Sequence, residues 1–337
     1  MRIVLSRKGY DSSYGGMPSP VFIDKDVKDW NCRMFSLPIP EVRNAGKDQK
    51  GHKLYEDVDT DVLSTEIKYP VGFPVVSKMP IIGDNEKEHK KFHVHLDPDI
   101  RPEIHNKVID GWIPILGQDS QAASHLRDNI EEGEDILFLF FGLFQFYVIE
   151  NGSWVKKKDS REFHAIWGYM WCNEVLDLDK KPELATRYRW HPHCKYIIKE
   201  MGRDNAPFVP NNTLFIGNNG TLPLVGVNVC SYGVFKYDRI LHLSMRECPN
   251  RTHWRKNSLP WLDFKNGMSN MSYNKNSEGR EIFHQGDCKY FLAASIGQEF
   301  VVNKDISCSE KVCKWLRDIM AKRENRSWDG LLEKKTC

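Results

Sequence analysis

The stretch GEDILFLFFGLFQFYVIENGSWVKKKDSREFHAIWGYMWCNEV, Gly133 to Val175, holds three strand-like runs in succession. Ile136 to Ile149 is almost wholly apolar. A strand that reads this way is covered on both faces, so this run is expected at the centre of a sheet. Asn151-Gly152 follows it, a strong hairpin signal because both residues accept positive φ. Working outward, short strands are expected at 2–6, 213–217, 233–244 and 299–302, and Phe22 to Pro40 reads as a hairpin with apolar ends and a charged middle. Strands and helices do not alternate, which argues against a doubly wound parallel sheet. The expected class is α+β, with a mostly antiparallel sheet and flanking helices.

Three helical patterns stand out. Ala122, Leu126 and Ile130 lie four apart behind Asp119 as N-cap. KPELATRYRW reads as helical and is expected to end at a Pro192 turn. Ser307-x-x-Glu310 has the form of a capping box ahead of Val312, Trp315, Leu316 and Ile319 at helical spacing. We expect a single large domain over 1–322, with a polar insert of loops or a lid at about 41–90 and a charged tail at 323–337.

The composition is that of an ordinary soluble chain: of 337 residues, 40% are apolar and 28% charged. A net charge of +2 argues against extensive duplex binding, which needs many uncompensated cations, and leaves a nucleotide or one exposed base open. The nine cysteines form no C-x-x-C pair, so a zinc ribbon or thioredoxin-type motif is not indicated and reduced thiols are expected. The N-terminal apolar run is too short for a signal peptide, and no run is long enough for a membrane span. A cytoplasmic protein without membrane contact is the expectation.

Four segments hold residue types suited to chemistry. FHVHLDPDI offers His93, His95, Asp97 and Asp99 within seven residues, a donor set that suits divalent iron, zinc or manganese, against a plain Asp-Pro-Asp turn as the alternative. WHPHCK presents His191 and His193, a general base near neutral pH or, on local evidence, exposed histidines in a helix-ending turn. RKGYDSSYGG carries Lys8, Asp11, Ser12, Ser13, Gly15 and Gly16; its glycines would let backbone amides face a phosphate, and Asp11 would orient a base or bind a metal, though the order is not that of a P-loop. IGQEFVV sets Gln298 and Glu299 in an apolar strand, where exposure is the simpler reading and burial would make Glu299 an acid, base or ligand. In FHAIWGYMW, His164 reads as a satisfied histidine, and Trp167, Tyr169 and Trp171 alternate as core residues or as a wall on which a base could stack.

Together, SRKGYDSSYGGMPSP, SLPIP, HLDPDI, LGQDSQAASHL, GEDILFLFFGLF, FHAIWGYM, HPH, RKNSLPWL and GQEFVV occur in an order that resembles the nucleotide-modification-associated domain of the third type, a family of phages, bacteria and some eukaryotes. The resemblance runs from Arg2 to about Trp315 and implies an α+β enzyme of nucleotide or DNA base modification, working beside other enzymes of a modification pathway. It points to Asp11, Ser12, Ser13, His95, Asp97, Asp99, His191, His193, Gln298 and Glu299. GEDILFLFFGLF is also similar to strands of PUA-like barrels, which implies a partly closed barrel in the middle of the chain and, as the rival function, a non-catalytic reader of a modified base or nucleotide. On the enzymatic reading, Asp11, Asp97, His191, His193 and Glu299 carry the chemistry. Lys8, the loop serines and glycines, Trp167 and Gln298 hold substrate, and the reaction is metal-dependent hydrolysis, oxidation or group transfer.

Overall fold

The computed structural model describes residues 1–9, 18–23, 33–34, 39–40, 56–59, 91–102, 109–151, 153–200, 211–224, 226, 228–244, 253–255, 258–262, 267–269, 283–285, 288–292 and 299–323. Its strands, in chain order, are β1 (Arg2–Arg7), β2 (Ser19–Phe22), β3 (Arg33–Met34), β4 (Ile39–Pro40), β5 (Glu56–Asp59), β6 (Lys91–His95), β7 (Ile115–Gln118), β8 (Ile136–Glu150), β9 (Ser153–Lys156), β10 (Phe163–Asp177), β11 (Thr213–Gly217), β12 (Tyr232–Val234), β13 (His253–Arg255), β14 (Met268–Ser269), β15 (Phe283–Gln285), β16 (Cys288–Leu292) and β17 (Glu299–Val302). The described α-helices are α1 (Ser120–Asn129), α2 (Pro192–Glu200), α3 (Lys304–Ser307) and α4 (Glu310–Met320). This is a mixed α+β fold whose large, mostly antiparallel sheet curls into a half-barrel.

The main path of that sheet runs β14-β17-β1-β8-β10-β11-β7. β8 lies at its middle, as its apolar run requires. Phe138 and Phe140 stack on each other on one face, while Phe141 meets Trp254 and Phe300 on the other. Asn151, at φ 53, turns the chain between β8 and β9, and Glu150 pairs with Ser153. The parallel component was not legible beforehand: β1 and β2 both run parallel to β8, against Ile136–Phe141 and Phe144–Tyr147. They therefore lie end to end along one edge of β8.

Several local expectations need correction. α4 is capped by Ser309, whose Oγ accepts from the Val312 N–H at 3.4 Å; Ser307 is buried and its Oγ accepts from the Ile3 N–H at 3.2 Å. The adjacent α3 ends at Ser307, so that serine cannot also stand at the N-cap of α4. In α1 the buried residues are Ala123 and Leu126, and Asp119 occupies the N-cap position without a side-chain capping hydrogen bond. KPELATRYRW holds a 3-10 helix over Pro182–Tyr188, and Pro192 opens α2 instead of ending a helix. The strand expected over 233–244 is short, Tyr232–Val234, and a 3-10 turn at Arg239–Leu241 interrupts the rest. The insert at 41–90 lies outside the described residues apart from β5, and so does the tail from 324. Cys172, Cys194, Cys230, Cys308 and Cys313 are free thiols.

Candidate functional site

Lys8, the residue that follows β1, is held tightly. The Lys8 N–H donates to Phe141 O at 2.9 Å, and Lys8 O accepts from the Trp167 indole at 3.1 Å. Gly142 permits this approach, since a Cβ there would stand 3.0 Å from Lys8 O and 3.5 Å from Trp167 Cδ1. From this fixed root the Lys8 ammonium reaches two carboxylates. Nζ lies 3.6 Å from Asp97 Oδ2 and 4.0 Å from Glu299 Oε1.

Asp97 enters from the turn after β6, through a cis Asp97–Pro98 peptide. Its Oδ1 accepts the Gly117 N–H at 2.8 Å. Asp99 sets that register: it exchanges two backbone hydrogen bonds with Ile115, at 2.8 and 3.0 Å, and its Oδ2 accepts from the Trp112 indole at 3.0 Å. Asp97 and Asp99 thus engage different parts of the β7 region.

The two histidines stand at the junction of the 3-10 helix with α2. This junction packs through Tyr188 and Cys194 into an apolar cluster with Ile115, Leu214 and Ile216. Packing of the junction carries both imidazoles inward, so His191 and His193 are buried, contrary to an exposed turn. His191 Nε2 lies 3.7 Å from Asp97 Oδ1, and His193 Nε2 lies 3.9 Å from Asp97 Oδ2. Both distances exceed hydrogen-bonding range. The His193 ring rests on the backbone of Gly117, where a Cβ would be 2.3 Å from Cδ2.

Glu299 opens β17 opposite Ser6. It is buried, not exposed, because β17 is flanked by β1 and β14 and the sheet curls over its first residue. Oε1 accepts from Ser6 Oγ at 3.0 Å and from the Gln118 side chain, while Oε2 has no hydrogen-bond partner among the described residues. Burial pushes the carboxyl up to about 7 and the Asp97 charge pushes the same way; the Lys8 charge and the Ser6 and Gln118 hydrogen bonds pull it down. Glu299 therefore exchanges a proton near neutrality, where an ordinary glutamate does not.

Lys8, Asp97, His191, His193 and Glu299 thus meet in one place. Trp167 is buried beneath it with Arg101 over its ring, 5.6 Å from the centroid, and Tyr169 is buried in the core. His164 is buried and accepts from the Trp254 indole at 3.0 Å. Asp11, Ser12, Ser13, Gly15, Gly16 and Gln298 lie outside the described residues, and so do the side chains of His93 and His95 on β6. Among the described residues no three His, Cys, Asp or Glu side chains are grouped to hold a metal ion. Gln118, Gly117, Ser6 and Asn212 were missed by sequence reasoning. Gln118 had a signal, as the polar residue that ends an apolar strand.

A family model, nucleotide modification associated domain 3, matches residues 2–303. The chain belongs to that family. The match takes in every residue of the cluster, from Lys8 to Glu299. No curated protein and no solved structure matches the chain. Among the described residues, no helix of this nucleotide modification associated domain 3 member is long and apolar enough to cross a membrane.

Proposed function

We propose that the protein is an enzyme that modifies a nucleotide or nucleobase by general acid–base chemistry at the Lys8–Asp97–His191–His193–Glu299 cluster. The observation that carries this reading is the burial of Glu299, whose proton affinity lies near neutrality, within the same cluster as an ammonium, a second carboxylate and two imidazoles. A carboxyl with a perturbed proton affinity set beside other titratable groups is a pattern by which one site takes a proton at one atom and gives it at another. Asp97 and the His193 imidazole act as bases. Glu299, which holds its proton for about half the time near pH 7, offers a proton, and the Lys8 ammonium stabilises negative charge that develops on the substrate. The reaction class this serves is hydrolysis or group transfer, in which one proton leaves the attacking group and another reaches the leaving group. A net charge of +2 favours a free nucleotide or a single exposed base over a long duplex.

The test is incubation of the purified protein with the common ribo- and deoxyribonucleotides and with DNA, followed by mass spectrometry of the products. Mass-shifted nucleotide is expected with the native protein. Asp97→Asn keeps the acceptor for the Gly117 N–H and is expected to lose turnover at least about 100-fold, the scale of one acid–base group. A non-catalytic reader would show binding without turnover in the native protein, and loss of that binding in Trp167→Ala.

A further inference from the structure

Asn212 precedes β11 and is buried beside His193. Its backbone is held on both sides: the N–H donates to Asp179 Oδ1 at 3.1 Å, and the carbonyl accepts from the Leu178 N–H at 2.9 Å. Its side chain meets His193 twice. Nδ2 donates to His193 O at 3.4 Å, and Oδ1 lies 2.8 Å from His193 Nδ1. The first contact orients the amide, so the oxygen is the atom facing the ring. An amide oxygen only accepts, which places the ring proton on Nδ1. His191 is set the other way. The backbone N–H of His193 donates to His191 Nδ1 at 3.4 Å, which leaves the His191 proton on Nε2.

We infer that Asn212 is a positioning residue that holds the His193 proton on Nδ1, so that Nε2, the nitrogen facing Asp97, is the base that takes a proton from the substrate. The inference rests on the acid–base reading above. The two Asp97 oxygens then have different surroundings. Oδ1 faces two N–H groups, from Gly117 and His191. Oδ2 faces the Lys8 ammonium and the His193 lone pair. On this reading the proton that His193 Nε2 takes comes from a water, a hydroxyl, or the ring or exocyclic N–H of a base. As the substrate X–H bond breaks, its electron pair stays on X and an N–H bond forms at Nε2. The resulting imidazolium donates to Asn212 at one nitrogen and faces the Asp97 carboxylate at the other.

The decisive experiment needs no substrate. Long-range proton–nitrogen NMR of histidine-labelled protein reads the tautomer of each ring, with His191→Gln and His193→Gln assigning the signals. The expected result is the unprotonated nitrogen at Nε2 in His193 and at Nδ1 in His191; the same tautomer in both rings overturns the inference. Asn212→Asp supplies an anionic acceptor and is expected to raise the His193 titration midpoint, with Asp97 and His191 still facing the ring. An unchanged midpoint also overturns it. Asn212→Leu is expected to release the tautomer preference; if that variant does not fold, the native spectrum and Asn212→Asp still decide. Absence of nucleotide turnover together with the expected spectra would remove the enzymatic reading and leave the tautomer assignment standing.

Discussion

Glu299 accepts a hydrogen bond from the Gln118 side chain, although four strands lie between β17 and β7 in the sheet order. The curl of the sheet brings the two together and takes Glu299 out of water. Its carboxyl is at about 7 in the folded protein against 4.5 ordinarily, so between those values the folded state keeps a proton that the unfolded state has released. The stabilising contribution is complete below the ordinary value and is lost as pH rises through the folded one, about 3 kcal/mol in all. Glu299→Gln can still accept from Gln118 but does not titrate. Urea unfolding from about pH 5 to about pH 8 should show the native protein losing stability relative to this variant. A constant difference between the two across that range would count against a buried, titrating Glu299.

Lys8 is the cation shared by two carboxylates, and its charge holds the Glu299 carboxyl down. Lys8→Met should move the Glu299 titration, followed by carbon NMR of labelled glutamate, above about 7. It should also cost about 3 kcal/mol in unfolding experiments, because a buried carboxylate loses its counter-ion.

Gly117→Ala places a methyl group where the His193 ring now lies. The ring must move, at a cost of about 1–3 kcal/mol. Turnover should fall with stability, and the His193 ring nitrogen signals should shift. An alanine variant with native signals and native turnover would show that this close contact is not needed.

Ser309→Ala should lower stability by about 1 kcal/mol through loss of the α4 cap. Ser307→Ala should cost about 1–3 kcal/mol, because the buried Ile3 N–H loses its hydroxyl acceptor. Neither serine touches the site, so turnover at a temperature well below melting should stay native. Thermal melts of the two variants check both values.

Much of the strand framework was legible because it rests on local rules. A double-sided apolar run at Ile136–Phe144 has only a central place to go, and Asn151-Gly152 turns as its φ preference requires. The helix caps were less legible. Ser307 and Ser309 are both plausible N-caps two residues apart, and the choice falls to Ser309 because β1 engages Ser307 instead. The histidines of His-Pro-His looked exposed because a proline-flanked polar triplet resembles a turn. They are buried because the apolar residues on either side dock against β7 and β11.

The sequence by itself determined the α+β class, the central strand, the family and the residue types available for chemistry. Only the tertiary structure decided which of them meet. Lys8, Asp97, His191, His193 and Glu299 come from segments far apart along the chain, and no local pattern encodes a contact between the two ends of a curled sheet. The proton affinity of Glu299 is likewise a tertiary property. It depends on how much water the surrounding strands exclude and on which charges they place nearby, and neither can be read from IGQEFVV alone.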